Sequence, residues 1–424
     1  MTRTPAPDPR RVGYIMSAFP TVTETFILFE IIELERTGAR VEIFPLRPRG
    51  DETSHPEAAP LARRTRYAHV GAPATIAAQL HWLRRAPRAY LGAWWAALRG
   101  NLRSRPFLLR ALVVVPLAAR FAREMQALGV SHVHAHWATH PALAANVVHR
   151  LTGLPYSFTA HAHDIYIDRS MLEEKIRDAA FVVTISDFNR SLLGRLYGDW
   201  AAAKTSVIRC GVDLTAFTPR PPRPAEGGPF TVSCIAGLRE KKGQAHLVEA
   251  VARLRDEGLE VRCLLVGDGE LRGRLEARIA ELGVGDRVEL LGHRSRDEVS
   301  AVLKGSDAMV LPSVTTDDGD MEGIPVALME ALATEVPVVA SSLSGIPELV
   351  RDGETGLLVP EGDPAAIAAA IRRIHDDPAG AARMAAAGRE RVLAAYDLER
   401  NTAELRRLLL WEYDGPALPA APAA

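Results

Sequence analysis

The chain has 424 residues with 51 Lys and Arg against 52 Asp and Glu, and a net charge of -1 removes the basic excess that a binder of polyphosphate backbones carries. Its 47% hydrophobic content is enough for two ordinary cores, more than one domain usually holds. The three cysteines, Cys210, Cys234 and Cys263, form no CxxC pair, which argues against a disulfide framework or a zinc ribbon and for a reducing, cytoplasmic setting.

In chain order, Arg11 to Ser17 reads as a short apolar strand, Thr23 to Glu35 as an amphipathic helix and Val41 to Pro45 as a second strand. No long apolar run precedes them, so no secretory signal is expected. From Ala58 to Arg123 the chain carries twelve Arg and no Lys, Asp or Glu, leaving a net charge of -13 on the remainder (-1 minus 12). Trp82, Tyr90, Trp94, Trp95 and Phe107 are interspersed, and basic segments with such aromatics adsorb to anionic membranes. A solvated helix pair balanced by the acidic remainder is the alternative. The most apolar part, Leu108 to Ala119, is interrupted by Arg110 and Pro116 and is too short to span a bilayer.

Strand-like runs follow at Val130 to Trp137, Tyr156 to Ala160 and Phe181 to Ile185, with helical patterns at Pro141 to Leu151 and Ser186 to Tyr197. Strands alternating with helices imply a parallel sheet. PRPPRPAEGGP, Pro219 to Pro229, can continue neither a helix nor a central strand and is read as a linker. The alternation then restarts with strands at Thr231–Ala236, Val261–Val266, Val288–Leu291, Ala308–Leu311, Pro337–Ser341 and Gly356–Val359. Helices are expected between them at Gln244–Glu257, Leu271–Leu282, Asp297–Lys304 and Pro325–Ala333. Residues Pro364 to Leu410 are helical by composition, and 413–424 read as a disordered tail. The expected division is an N-terminal domain over 1–218, the linker at 219–229, a C-terminal domain over 230–395 and a helix at 396–412 free to return to the first domain. Ligands of doubly wound sheets bind at the carboxyl ends of the strands, so two such α/β domains are expected to face each other across a cleft.

Downstream of Leu311 a polar loop leads to Glu322-Gly323-Ile324-Pro325 and then to Glu330. Pro325 suits a first helical turn, Gly323 permits close approach of a ligand, and a helix N-terminus suits a phosphate. Glu330 lies about 7 Å further along the axis at ~1.5 Å per residue. A pyrophosphate could then sit between two hydroxyl-binding carboxylates.

This pattern resembles the E-x7-E signature of the retaining glycosyltransferases of family 4, over about residues 12 to 412. The resemblance implies the GT-B arrangement of two Rossmann-like domains, with Glu322 on the transferred sugar and Glu330 on the ribose hydroxyls of a UDP- or GDP-sugar. Leu238 to Gly243 resembles that family's G-R-L-x-x-x-K-G segment, so Lys242 is the expected diphosphate ligand. The family's Arg position holds Gly237, and Arg239 is taken as its substitute. Thr159 to Asp164 resembles the segment bearing the family's active-site His, which aligns with His161. Phe19 to Phe26 resembles the F-P-x-x-S-E-T-F start of the colanic-acid type of exopolysaccharide enzymes and makes Pro20, Thr23, Glu24 and His136 acceptor-side candidates; Thr21-x-x-Glu24 also reads as a helix capping box.

The resemblance therefore implies retaining hexosyl transfer to a lipid-linked or oligosaccharide acceptor, with no metal and no cofactor, by a cytoplasmic protein that is peripheral at the inner face of the plasma membrane. Two other classes stay open. His132, His134, His136, His161 and His163 could hold a metal for hydrolysis, and nucleotide-sugar epimerases share the architecture. Val266-Gly267-Asp268-Gly269 imitates a dinucleotide fingerprint, but Gly273 falls one position late, so it reads as a tight turn. Asp318-Gly319-Asp320 reads as a solvated loop, and Gly345 to Glu348 and Asp352 to Leu358, which match the family's run after the carboxylate helix, as structural turns.

Overall fold

A computed structural model of the chain describes residues 10–21, 24–47, 55–221 and 228–411. Thr23, most of the 219–229 stretch and the 413–424 tail lie outside them.

The described chain forms two compact units, the first running to Ile185, resuming at Arg190–Ile208 and again from Thr402, the second taking Ser186–Asn189 and Arg209–Asn401. The division thus falls at Ile208, ahead of the proline-rich stretch expected to carry it.

The first unit holds β1 (Arg11–Met16), β2 (Arg40–Pro45), β3 (Val130–His136), β4 (Tyr156–Ala160), β5 (Phe181–Thr184) and β6 (Thr205–Val207) in one parallel sheet of order β2-β1-β3-β4-β5-β6. The strands β1, β2, β4 and β5 are buried over nearly their whole length because helices cover the sheet, as βαβ crossovers require. Val12, Ile31, Val41 and Phe181 share a core with Leu405, Leu408 and Leu409 of the C-terminal helix Leu398–Leu409 and with Leu410 just after it.

The second unit holds β7 (Phe230–Ile235), β8 (Val261–Val266), β9 (Val288–Gly292), β10 (Ala308–Leu311), β11 (Val338–Ser341) and β12 (Leu357–Val359), all parallel, in the order β12-β11-β10-β7-β8-β9. Each sheet reverses its winding at one place, between β1 and β3 in the first and between β7 and β10 in the second. The segments leaving those strands diverge there and open a crevice at the carboxyl edge.

After a short helix at Ala59–Ala62, the basic stretch is three longer helices inserted between β2 and β3: Pro73–Arg85, Pro87–Asn101 and Arg105–Leu128. Trp82 Nε1 donates to the Ala119 carbonyl at 2.8 Å, and the Tyr90 hydroxyl donates to Gln79 Oε1 at 2.7 Å, tying the three together. Trp82, Tyr90 and Phe107 are therefore core residues, contrary to their expected place at a membrane interface; Trp94 is half-buried and only Trp95, 66% exposed, faces solvent.

Candidate active site

At the reversal point of the second sheet, β7 runs into Ala236-Gly237-Leu238, a short helical turn (Glu240–Lys242) and Gly243. Gly243 has φ +67°, and a Cβ there would lie 1.9 Å from the Pro312 carbonyl oxygen at the end of β10. That close approach, with Val314 N donating to the Lys241 carbonyl at 3.0 Å, latches the lysine turn onto the loop leaving β10. The turn after β8 closes in from the other side, where Leu238 N donates to the Asp268 carbonyl at 3.0 Å and a Cβ on Gly269 would strike Leu238. The glycines of the apparent dinucleotide fingerprint serve this packing.

The latch brings Lys242 Nζ to 2.7 Å and Lys241 Nζ to 3.4 Å from the Glu322 carboxylate, with Lys241 also 3.1 Å from Asp320. Burial would push the Glu322 carboxyl up, but the two ammonium charges, Lys242 foremost, outweigh it and hold the group below its ordinary value. Glu322 is therefore an anion clamped between cations. Lys241 belongs to this cluster, and so does Asp320, which was expected in a solvated loop. Arg239 is exposed and its guanidinium makes no ion pair or hydrogen bond among the described residues.

Gly323, Ile324 and Pro325 are buried, and Ser344 Oγ holds their backbone by donating to the carbonyls of Glu322 and, at 3.2 Å, Gly323. Pro325 stands at the N-cap position, one residue before the helix Val326–Ala333, and no side chain caps that end. Glu330 follows one turn on. Burial of its carboxyl, against a weaker opposing effect from Arg296, raises it to about 7. Ser313 Oγ and Ser341 Oγ, at the carboxyl ends of β10 and β11, are buried without a partner among the described residues. Such orphaned groups beside a sheet's reversal point suit a polar ligand.

In the first unit, β3 and β4 present a chain of hydrogen bonds. Glu30 Oε1 accepts from the Tyr14 hydroxyl at 2.9 Å and bonds His136 Nε2 at 2.9 Å, while His136 Nδ1 lies 3.2 Å from His161 Nε2. His161 is buried, with ring centroids of Trp137 at 4.5 Å and Phe26 at 4.8 Å. Burial, reinforced by His136, holds its imidazole well below the ordinary value and hence neutral. Asp164 fixes the two loops around it by accepting from the backbone N–H of Ala138 at 2.7 Å, Ala162 at 2.8 Å and His161 at 3.1 Å. Beneath them the buried Lys175 donates to the carbonyls of Ala138 and Thr139, and burial lowers its ammonium to about 7.

The five histidines do not converge as a metal set. His132 Nε2 and His134 Nδ1 bond Ser157 Oγ at 2.7 and 2.8 Å, His134 Nε2 bonds Thr159 Oγ1 at 2.9 Å, and His163 pairs with Asp168 at 3.1 Å. Among the described residues the group whose ligand atoms lie within 4.8 Å of one another is Glu30, His134 and His136, and the nitrogens of both histidines are already engaged. Of the acceptor-side candidates, Pro20 is buried in the loop after β1. Glu24 accepts from Thr21 Oγ1 at 3.1 Å, and its burial raises its carboxyl. The expected capping box does not form: the helix begins at Thr25, Glu24 itself is the N-cap residue, and no side chain caps it. Glu30 was missed because it is one polar residue on an amphipathic helix; only the pairing of β1 with β3 brings Tyr14 and His136 to it.

Two parallel six-stranded sheets, the second carrying an ion-paired Glu-Lys-Lys cluster at its reversal point, place the chain in the GT-B fold class. Residues 23–216 match Glycosyltransferase Family 4 and residues 218–391 match Glycosyl transferases group 1. WcaL of Escherichia coli strain K12, provisionally assigned as a colanic acid biosynthesis glycosyltransferase, is 33% identical over 94% of this chain and 99% of its own. The amylovoran biosynthesis glycosyltransferase AmsK of Erwinia amylovora is 37% identical over 49% of this chain and 51% of its own. Among solved structures, sucrose-phosphate synthase from Thermosynechococcus elongatus shares the fold with a TM-score of 0.72 at 21% identity, covering 95% of this chain and 99% of its own. Anabaena Alr3699/HepE, solved with UDP and glucose, does so with a TM-score of 0.69 at 18% identity, covering 95% and 100%. The chain belongs to the group 1, family 4 glycosyltransferases, of the exopolysaccharide type. Neither the hydrolase nor the epimerase reading draws support from these relatives.

Proposed function

We propose that the protein transfers a hexose from a UDP- or GDP-sugar to a lipid-linked or oligosaccharide hydroxyl in cell-surface polysaccharide synthesis, with anomeric configuration retained and without a metal. The observation that carries this reading is the Lys241–Lys242–Glu322 cluster beside an uncapped helix start at the reversal point of the second sheet. A leaving diphosphate develops negative charge, which fixed cations and free N–H groups can stabilise in a metal's place. Lys242 and Arg239 bind the diphosphate, Glu322 and the Gly323-Ile324-Pro325 backbone contact the transferred sugar, and Glu330 accepts from the ribose hydroxyls. His161 acts on the donor sugar, and Pro20, Thr23, Glu24 and His136 serve the acceptor side. The acceptor attacks from the face the diphosphate leaves, and the departing phosphate takes its proton.

HepE's complexes with UDP and UDP-glucose favour a uridine donor, and the GDP-mannose-dependent mannosyltransferase of Mycolicibacterium smegmatis, 31% identical over 59% of this chain, favours guanosine. The protein works at the inner face of the plasma membrane, where lipid-linked acceptors lie. Thermal shift across UDP- and GDP-sugars in excess chelator identifies the donor, and NMR of the released or transferred sugar reads its anomeric form. Loss of turnover on chelation, or an inverted product, overturns the reading.

A further inference from the structure

The three inserted helices of the first unit each turn an apolar stripe to solvent. Ile76, Leu80 and Leu83 recur at i, i+4 and i+7 on the first; Leu91, Trp95 and Leu102 follow at i, i+4 and i+11 on and just after the second; Leu109, Leu112 and Val113 share a face of the third. These positions are the opposite faces from Thr75, Ala78 and Trp82, from Tyr90, Ala93 and Ala97, and from Phe107, Ala111 and Val114, which bury the helices against one another and the sheet. Isolated exposed leucines are ordinary, but here ten of the thirteen exposed large hydrophobics among the described residues lie between Val70 and Val113. Concentration in one insert marks a surface that something covers.

The charge on the same helices says what. From Ile76 to Val113 there are seven arginines, Arg84, Arg85, Arg88, Arg99, Arg103, Arg105 and Arg110, and no Lys, Asp or Glu. All seven are exposed, and none pairs with a carboxylate among the described residues. The more distant Arg64, Arg66 and Arg120 do pair, with Glu35, Glu42 and Glu124. Two copies of this face would set arginine against arginine, which opposes self-association. An anionic bilayer surface satisfies both features together: its headgroups meet the guanidinium groups while Leu, Ile and Trp95 enter the boundary with the acyl chains. No helix among the described residues is long and apolar enough to cross a membrane, so the insert lies on the surface.

We infer that the outward stripes bearing Ile76, Leu80, Leu91, Trp95, Leu109 and their flanking arginines dock the protein on an anionic lipid surface by shallow apolar insertion. This deepens the functional proposal, yet the test reads no donor or acceptor, so the two can fail separately. The full chain is sedimented with vesicles of phosphatidylglycerol and phosphatidylcholine, or phosphatidylcholine alone, across a salt series. The expected result is binding to the anionic vesicles that weakens with salt. It should weaken about fivefold for each arginine lost in Arg84→Ser/Arg88→Ser/Arg99→Ser. Leu80→Glu/Leu91→Glu/Leu109→Glu should also lose binding while keeping the wild-type melting temperature and sugar release from donor in solution. Should either variant fail to fold, Trp95→Phe decides: brominated lipids should quench wild-type fluorescence more than that of the variant. No binding at low salt, equal binding to neutral vesicles, equal quenching, or concentration-dependent dimerisation lost in the leucine variant would each overturn the inference.

Discussion

Removing the cations around Glu322 one at a time tests whether they act as a clamp. Lys242 lies 2.7 Å and Lys241 3.4 Å from the carboxylate, so by inverse distance the second cation retains about four-fifths of the attraction of the first. The side chains of Lys242 and Glu322 are only 18% and 11% exposed, so screening by water is incomplete. Breaking a buried pair costs about 3–5 kcal/mol when the remaining charge is left bare. With Lys241 still in place, Lys242→Ala should therefore cost only about 1–2 kcal/mol, and Lys241→Ala the same or less. The double variant should reach about 3–5 kcal/mol, more than the sum of the two, because only then is Glu322 alone. Urea denaturation of all four proteins at pH 7.5 measures the cycle. Nucleotide affinity, read by calorimetry with UDP and GDP, should fall about tenfold to a hundredfold in Lys242→Ala alone, as expected for one lost charge-assisted hydrogen bond. An additive cycle, with the double variant no worse than the sum of the singles, would refute the clamp; unchanged nucleotide affinity would remove Lys242 from the donor site.

Three further outcomes follow from the geometry. Because burial raises Glu330 to about 7, its ionised form, the stronger acceptor, becomes the majority only above that value: nucleotide affinity should rise severalfold as pH climbs through 7, and Glu330→Gln should flatten the profile. The sign for folding is opposite, since a raised carboxyl contributes stability at acid pH that is lost as pH rises through 7, and the same variant should remove that slope from pH-dependent melts. Glu30→Gln keeps the shape of the Tyr14–Glu30–His136–His161 chain but removes its charge; kcat should fall at least tenfold with donor KM unchanged, and a proportional loss in both would indicate a structural role only. Gly243→Ala places a methyl 1.9 Å from the Pro312 oxygen at φ +67°, so melting temperature should drop by several degrees and donor affinity with it, while Gly258→Ala, also at positive φ but in open space, should retain the affinity.

Most strands were legible nearly to the residue because they are short, largely apolar runs buried along most of their length. β6 escaped notice because Thr205–Val207 is too short to show any period. The helix after β1 was placed two residues early: Thr21 and Glu24 match a capping pattern, yet their side chains bond each other at 3.1 Å instead of the backbone. In the arginine-rich insert the composition was visible but the inward face was not. Each helix there is apolar on two sides, and aromatics were assigned to the outside that in fact hold the bundle together. At the donor site Lys242, Glu322 and Glu330 were singled out by the resemblance to family 4. Lys241 and Asp320 were not, because what recruits them is the contact of Gly243 with Pro312, a pairing of loops 69 residues apart (312 minus 243) that leaves no local pattern.

The C-terminal helix has a consequence for how the chain can be divided. Leu405, Leu408, Leu409 and Leu410 complete a core whose other members, Val12, Ile31, Val41 and Phe181 among them, lie in the first half of the sequence. During synthesis that core stays open until residues 405–410 leave the ribosome, so the first unit cannot finish folding ahead of the second. A fragment cut after β6 would carry the sheet yet leave the part of this core that meets Leu405 to Leu410 uncovered, whereas the same fragment joined by a linker to residues 398–411 restores the cover. For this chain the natural excision of the first unit is therefore two pieces of sequence, not one.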